Sequence, residues 1–430
     1  MNGPAKGRTM NHPSGREPVP PHTVFLQRRA GPVSEGSFET RLGQGAFLAL
    51  RLVDLLAPDR QPVHPDAFHY QHAATERYCE DLPAECAETA HLQGLVATAA
   101  DAARAKDGRL VIPALFAYAL HLEDRLKLGE AFDVLETLLR VGGDRVSAAD
   151  AITTRLRMAR VLRKLNEFDA ADDLYAEAGA LASRANDGHA ALLSRIGAAS
   201  VLWGRGNLTG AEQAYRTCLA DARHARDQDA EGRAEHGVGV VLYARGQPDL
   251  AVPHLWRAFE LYLDDSSRVR ALSDMGVGLL AIGDAVAAER ALSEAVRRGG
   301  GADHVTNAMV ELMHCASYRR DRVRFASWRK QCEARVDDMP PNIRTDFYLK
   351  QGIGQARFGR FRRAEASMRQ AQEIATAHGL HEFEFRIERI LAGLEECEPE
   401  IAREPHAGTE PVFQTDELRE VSESLAQLAG

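Results

Sequence analysis

Leu202-Trp-Gly-Arg-Gly206-Asn-Leu-Thr-Gly-Ala211 returns forty residues later as Leu242-Tyr-Ala-Arg-Gly246-Gln-Pro-Asp-Leu-Ala251. Leu162-Arg-Lys-Leu-Asn166-Glu-Phe-Asp-Ala-Ala171 and Leu279-Leu-Ala-Ile-Gly283-Asp-Ala-Val-Ala-Ala288 keep the same frame. Each places an apolar residue, then Gly or Asn four later, then Ala five after that; Gln355, Gly359 and Ala364 keep the spacing without the Leu. Gly and Asn tolerate the left-handed conformation in which a helix commonly ends. The following Ala lies early on a second helix, where a small side chain admits close approach. Three residues before each first position stands another small residue: Ala159, Ala199, Gly239, Gly276 and Gly352. The pattern predicts a series of tight antiparallel helical hairpins. Elsewhere helix-period patterning dominates, and no strand-like alternation persists.

The anchoring alanines fall at Ala131, Ala171, Ala211, Ala251, Ala288, Ala326 and Ala364, a step of 37 to 40 residues. Ala326 is placed by spacing alone. With Tyr175 and Tyr215 at the aromatic position and Ala178, Ala258, Ala295 and Ala371 three residues beyond it, the register resembles the tetratricopeptide repeat (TPR) family. The usual period of that family is about 34 residues; these units match bacterial TPR-containing proteins with longer helices or links. The family's early Trp and closing Pro are missing. The resemblance implies an all-α, right-handed α-solenoid of seven to eight hairpins, a non-enzymatic scaffold that binds a peptide or helix of a partner in its concave groove. In such arrays the groove is lined by the first helix of each hairpin. Carried onto this register, it comprises Arg160, Arg163, Ser200, Trp203, Arg233, His236, Tyr243, Arg270 and Ser273. Arginines beside Trp and Tyr suit an acidic or carboxylate-bearing peptide, because guanidinium binds carboxylate in bidentate fashion.

Outside the array, residues 1–35 are rich in Pro and Gly and are expected to be disordered. Residues 36–107 form a helical cap or worn first repeat, 108–397 the array, and 398–430 a linker with a terminal amphipathic helix. That helix has Thr415 as N-cap and Leu418, Val421, Leu425 and Leu428 on one stripe. It is expected either to pack on the end of the solenoid or to act as a tethered ligand for its own groove or that of a second copy, a route to self-association.

The 430 residues carry 53 basic and 62 acidic side chains, a net charge of -9 that argues against general nucleic-acid binding. No run long and apolar enough for a membrane span, and no secretory leader, is found, so a cytoplasmic location is expected. Arg outnumbers Lys 47 to 6, as in GC-rich bacterial genomes. Between Arg297 and Gln370, sixteen basic residues face eight acidic ones, a local charge of +8 expected to be a solvated face.

Catalytic motifs are missing: no His-Glu-x-x-His, no Gly-x-Ser-x-Gly, no phosphate-binding Gly-rich loop ending in Lys. No cofactor is expected. His64, His69, His72, Cys79, Cys86 and His91 could in principle gather around zinc, but the register assigns Cys79 to a packing position that needs a small hydrophobe. Two alternatives to a scaffold remain: a peptide-sensing regulator, and an enzyme using that cluster or acting on a phosphorylated partner.

Overall fold

The residues singled out for left-handed turns adopt them. In the computed structural model φ is 62° at Asn166, 78° at Gly206, 76° at Gly246, 92° at Gly283 and 73° at Gly359. At each turn the N–H just past the left-handed residue donates back to the last turn of the helix, as from Asn207 to the Leu202 carbonyl at 2.9 Å. These bonds cap carbonyls that the helix would otherwise leave open.

The structure describes residues 20–29, 38–58, 64–299, 302–401 and 415–428, and among them it is all helix and turn. The helices are α1 (Thr23–Leu26), α2 (Phe38–Asp54), α3 (Pro65–Glu80), α4 (Ala87–Ala105), α5 (Ile112–Asp124), α6 (Leu128–Gly142) and α7 (Ala148–Lys164). They continue as α8 (Phe168–Arg184), α9 (Gly188–Gly204), α10 (Leu208–Ala225), α11 (Gln228–Ala244), α12 (Pro248–Leu261), α13 (Asp265–Ala281) and α14 (Ala285–Arg298). The last are α15 (Ala302–Tyr318), α16 (Arg322–Glu333), α17 (Pro341–Arg357), α18 (Phe361–Ala377), α19 (His381–Ile401) and α20 (Asp416–Leu428). No helix among the described residues is long and apolar enough to cross a membrane.

The chain divides into two compact units, one ending at Val146 and lacking Glu123–Leu126, the other formed by those four residues and everything from Ser147. In the second unit α7 to α18 form six consecutive hairpins. Each first helix (α7, α9, α11, α13, α15, α17) touches the next first helix, whereas successive second helices meet sparsely. The first-helix layer is therefore the inner, closely spaced side of a TPR-like helical stack. The core lies between the layers, where Ala171, Ala211, Ala251, Ala288 and Ala364 are fully buried. Added Cβ atoms would meet Leu255 at 2.8 Å from Gly239, Leu292 at 2.6 Å from Gly276 and Met368 at 2.7 Å from Gly352, which is why the second of the two contact points is small.

The fifth hairpin departs from the expected register. Ala326 is exposed, and its neighbour Phe325 takes the buried place, its ring 2.3 Å from where a Cβ on Gly354 would stand. The turn before it uses Arg320 at φ 60° in place of glycine.

In the first unit, Leu42, Leu50, Leu92, Leu95, Leu115 and Leu135 form the core. Part of the expected disordered segment is built into this unit. Residues 20–29 form α1 and a 3₁₀ turn at Gln27–Arg29, with Phe25 fully buried. The rest of 1–35 lies outside the described residues, as does 402–414 of the expected linker.

The terminal helix takes neither expected position. α20 buries Leu418, Val421 and Leu425 against α12 and α14, two second helices in the middle of the stack, so it sits on the outer layer and away from the inner face. Thr415 caps it, accepting from the Leu418 N–H at 3.3 Å.

Candidate functional site

The inner face is built from the second helices as much as from the first. Tyr175 on α8 lies over Gly197 of α9, and Tyr215 on α10 over Gly237 of α11; a Cβ on either glycine would fall 2.1 or 2.2 Å from the ring. The rings thus pass between neighbouring first helices and deliver their hydroxyls to the inner layer. Tyr262, just past α12, does the same. Burial raises the pKa of all three phenols, so they stay protonated.

The nine expected residues are found in different states. Arg163 hydrogen-bonds the Tyr175 hydroxyl. Ser200 and the Tyr215 hydroxyl are 2.7 Å apart, and Arg270 donates to the Tyr262 hydroxyl at 3.3 Å. The charges of both Arg163 and Arg270 oppose the burial that raises the Tyr215 pKa. Each of these arginines keeps a buried Nε–H without an acceptor. Trp203, 36% exposed, and Tyr243, 40% exposed, add apolar surface on α9 and α11.

The remaining four residues are engaged within the fold. Arg160 donates to Glu123 at 3.0 Å, and Arg233 to Asp229 at 2.8 Å. His236 is buried between the Tyr262 hydroxyl at 3.0 Å and Asp274 at 2.7 Å. Burial lowers its pKa, with Arg270 and Arg233 adding to the effect against Asp274, so it stays neutral at pH 7. Ser273 does not line the face: it is buried, and its hydroxyl donates to the Val269 carbonyl of its own helix at 2.9 Å.

A second polar cluster on α15 and α17 was not anticipated. Lys350 lies buried between Glu311, which it hydrogen-bonds, and Asp346 at 2.5 Å. Burial disfavours its charge, but the two carboxylates outweigh this and raise its pKa, so Lys350 stays charged. On the same helices His314 Nδ1, Gln351 Oε1 and Gln355 Oε1 are buried without partners, and burial beside Lys350, Arg357 and Arg386 keeps His314 neutral. The Tyr243 phenol, its pKa raised by burial, also feels the charges of Glu311, Lys350, Arg386 and Asp346.

Much of the basic segment between Arg297 and Gln370 is engaged. Arg319 and Arg324 both pair with Glu289, Arg357 lies 5.3 Å over the Tyr318 ring, and Arg322 lies 5.7 Å over Phe358. In the first unit, Cys79 is buried in the core, its thiol pKa pushed up to about 11 by burial. His64 caps α3, accepting from the Asp66 N–H, while the His91 ring lies 4.8 Å from that of His121, tilted by 39°. No group of three metal-binding side chains forms among the described residues.

No protein-family model and no curated protein matches the chain. Solved structures do. Aspartyl phosphate phosphatase F from Bacillus subtilis is 11% identical, covering 80% of this chain and 95% of its own at a TM-score of 0.45. The apo form of the quorum sensor NprR from B. thuringiensis is 11% identical over 81% of this chain and 91% of its own, with a TM-score of 0.46. A Rap protein complexed with competence and sporulation factor is 12% identical over 85% of this chain and 99% of its own, with a TM-score of 0.44.

Proposed function

We propose that the chain is a non-enzymatic interaction module whose inner face binds an acidic peptide segment of a partner protein. The observation that carries this reading is the pair of buried, unsatisfied Nε–H groups on Arg163 of α7 and Arg270 of α13, with the half-exposed rings of Trp203 and Tyr243 on the two first helices between them. Buried polar groups are ordinarily paired, and an unpaired donor on a guanidinium fits a carboxylate acceptor. The aromatic pair supplies apolar contact area of the kind that dominates interface energetics. The test is a titration of the whole chain with acidic and neutral peptide pools, followed by Trp fluorescence. Binding of the acidic pool, lost in Arg163→Glu with Arg270→Glu while the melting curve is kept, supports the reading. Equal binding by that double variant overturns it.

A further inference from the structure

Residues 20–29 lie across the first unit as a strap whose three inward side chains are spaced three apart. His22 sits between two carboxylates: its Nδ1 is 2.5 Å from Asp133 and its Nε2 is 3.2 Å from Asp54. Phe25 is fully buried and stacks 6.3 Å from the Tyr118 ring. Arg28 donates to Glu88 at 2.8 Å through Nη2 and to Glu130 at 2.7 Å through Nε. Both ring nitrogens of His22 face carboxylate acceptors, and only the cationic imidazole can donate to both.

The cleft beneath the strap is acidic yet partly provided with its own counter-charges. Arg140 on α6 reaches Asp54 at 2.5 Å. Lys127 lies 3.3 Å from Glu88 and 3.0 Å from Glu39, and the Tyr118 hydroxyl donates to Glu88 at 2.8 Å. Removing the strap would therefore leave Asp54 and Glu88 with partners, which spares the body much of the penalty of stranded buried charge. The floor is also cut for a passing main chain: a Cβ on Gly43 of α2 would stand 2.3 Å from the Phe25 carbonyl oxygen. A helix interior gains from Ala at such a position, so the glycine serves the strap rather than the helix.

We propose that this cleft is a peptide-binding site, distinct from the inner face of the array, for segments carrying a phenylalanine between two cations at three-residue intervals, and that residues 20–29 occupy it as an exchangeable tethered ligand. A partner segment of the same chemistry would compete with the strap for Asp54, Asp133, Glu88 and Glu130.

The test uses the full chain with its own strap disabled by His22→Ala, Phe25→Ala and Arg28→Ala, and a fluorescent synthetic peptide of residues 18–31. The peptide is expected to bind, a peptide with the same three alanines is not, and adding Gly43→Ala to the chain is expected to weaken binding at least roughly tenfold. A helical, cooperatively melting variant that ignores the wild-type peptide overturns the proposal. Should the triple variant lose its helices, hydrogen exchange on the wild-type chain decides. Exchange of residues 22–28 well ahead of α2 and α6 supports an exchangeable strap, and exchange of all three together overturns it.

Discussion

The cleft of the first unit and the inner face of the array are both polar, and they are finished to different degrees. In the cleft, His22 and Arg28 each meet two carboxylates, and Phe25 is enclosed. On the first helices of the array, Arg163, Arg270, His314, Gln351 and Gln355 each hold a buried polar atom with no partner, and the rings of Trp203 and Tyr243 are half-exposed. A satisfied buried network supports structure, whereas an unsatisfied one adds little to stability and is primed for a ligand. Substitutions should therefore act on stability in the first region and on binding in the second.

The largest effect is expected at Arg28. Arg28→Met leaves Glu88 and Glu130 buried without the guanidinium they share, a loss of about 3–5 kcal/mol when a buried pair is broken from one side. Strap undocking limits this loss, so it should appear as faster hydrogen exchange at residues 22–28 before it appears in global urea unfolding. Next comes the inner face. Arg163→Glu with Arg270→Glu should weaken acidic-peptide binding about a hundredfold, near 2.7 kcal/mol. Its melting temperature should fall by less than that of Arg28→Met, because each guanidinium gives the fold a hydrogen bond to a tyrosine hydroxyl and leaves its Nε–H unused. A drop in stability as large as that of Arg28→Met would erase the distinction.

The pH response of the strap is a smaller effect with a defined sign. Burial pulls the His22 pKa down, but the hydrogen bonds and charges of Asp133 and Asp54 outweigh it and raise the value above the ordinary 6.5. That contribution is complete below pH 6.5 and disappears as pH rises through the raised value. The charged groups facing His22 are Asp54 from α2 with Asp133 and Arg140 from α6. Burial opposes the charge of Glu88, but Arg28, with Lys127 and Tyr118, brings its pKa down to about 2. Its contribution is present above about 4.5 and disappears as pH falls toward 2. Strap docking, read by hydrogen exchange corrected for intrinsic rates, should thus be tightest between these limbs, and His22→Gln should flatten only the alkaline one. Least of all should Leu425→Ala matter for binding. It should free α20, seen as proteolysis near the C-terminus, while inner-face affinity stays unchanged, because α20 packs on the outer layer.

What could be read from the chain was local. A left-handed turn residue and a small contact residue lie within ten positions of each other, and both act through short-range sterics, so four hairpins were legible from their glycines and asparagine. The fifth was displaced by one residue because Arg320 turns the chain where glycine would have marked it. Gly197, Gly237 and Gly354 escape a local reading, since their partners Tyr175, Tyr215 and Phe325 belong to preceding hairpins. The strap was illegible for the same reason on a larger scale. His22 finds Asp133 across 111 residues and Arg28 finds Glu130 across 102, and nothing in ten Pro- and Arg-rich residues announces such partners. Lys350 with Asp346 reads as an ordinary exposed helix pair until Glu311, 39 residues earlier, closes over it. The expected groove arginines lie on first helices of the hairpins, yet spacing cannot distinguish Arg163, with its open donor, from Arg160, already held by Glu123.

The seat of α20 has a mechanical side. A stack of hairpins changes curvature by opening or closing the gaps along its outer edge. α20 spans one such gap, from α12 of the third hairpin to α14 of the fourth, with three leucine and valine side chains sunk into the joint and Ser422 reaching Asp284 at 3.3 Å. It acts as a splint. Where the array flexes, this joint should open less than the unsplinted joints on either side, which would hold the width of the inner face between α11 and α13.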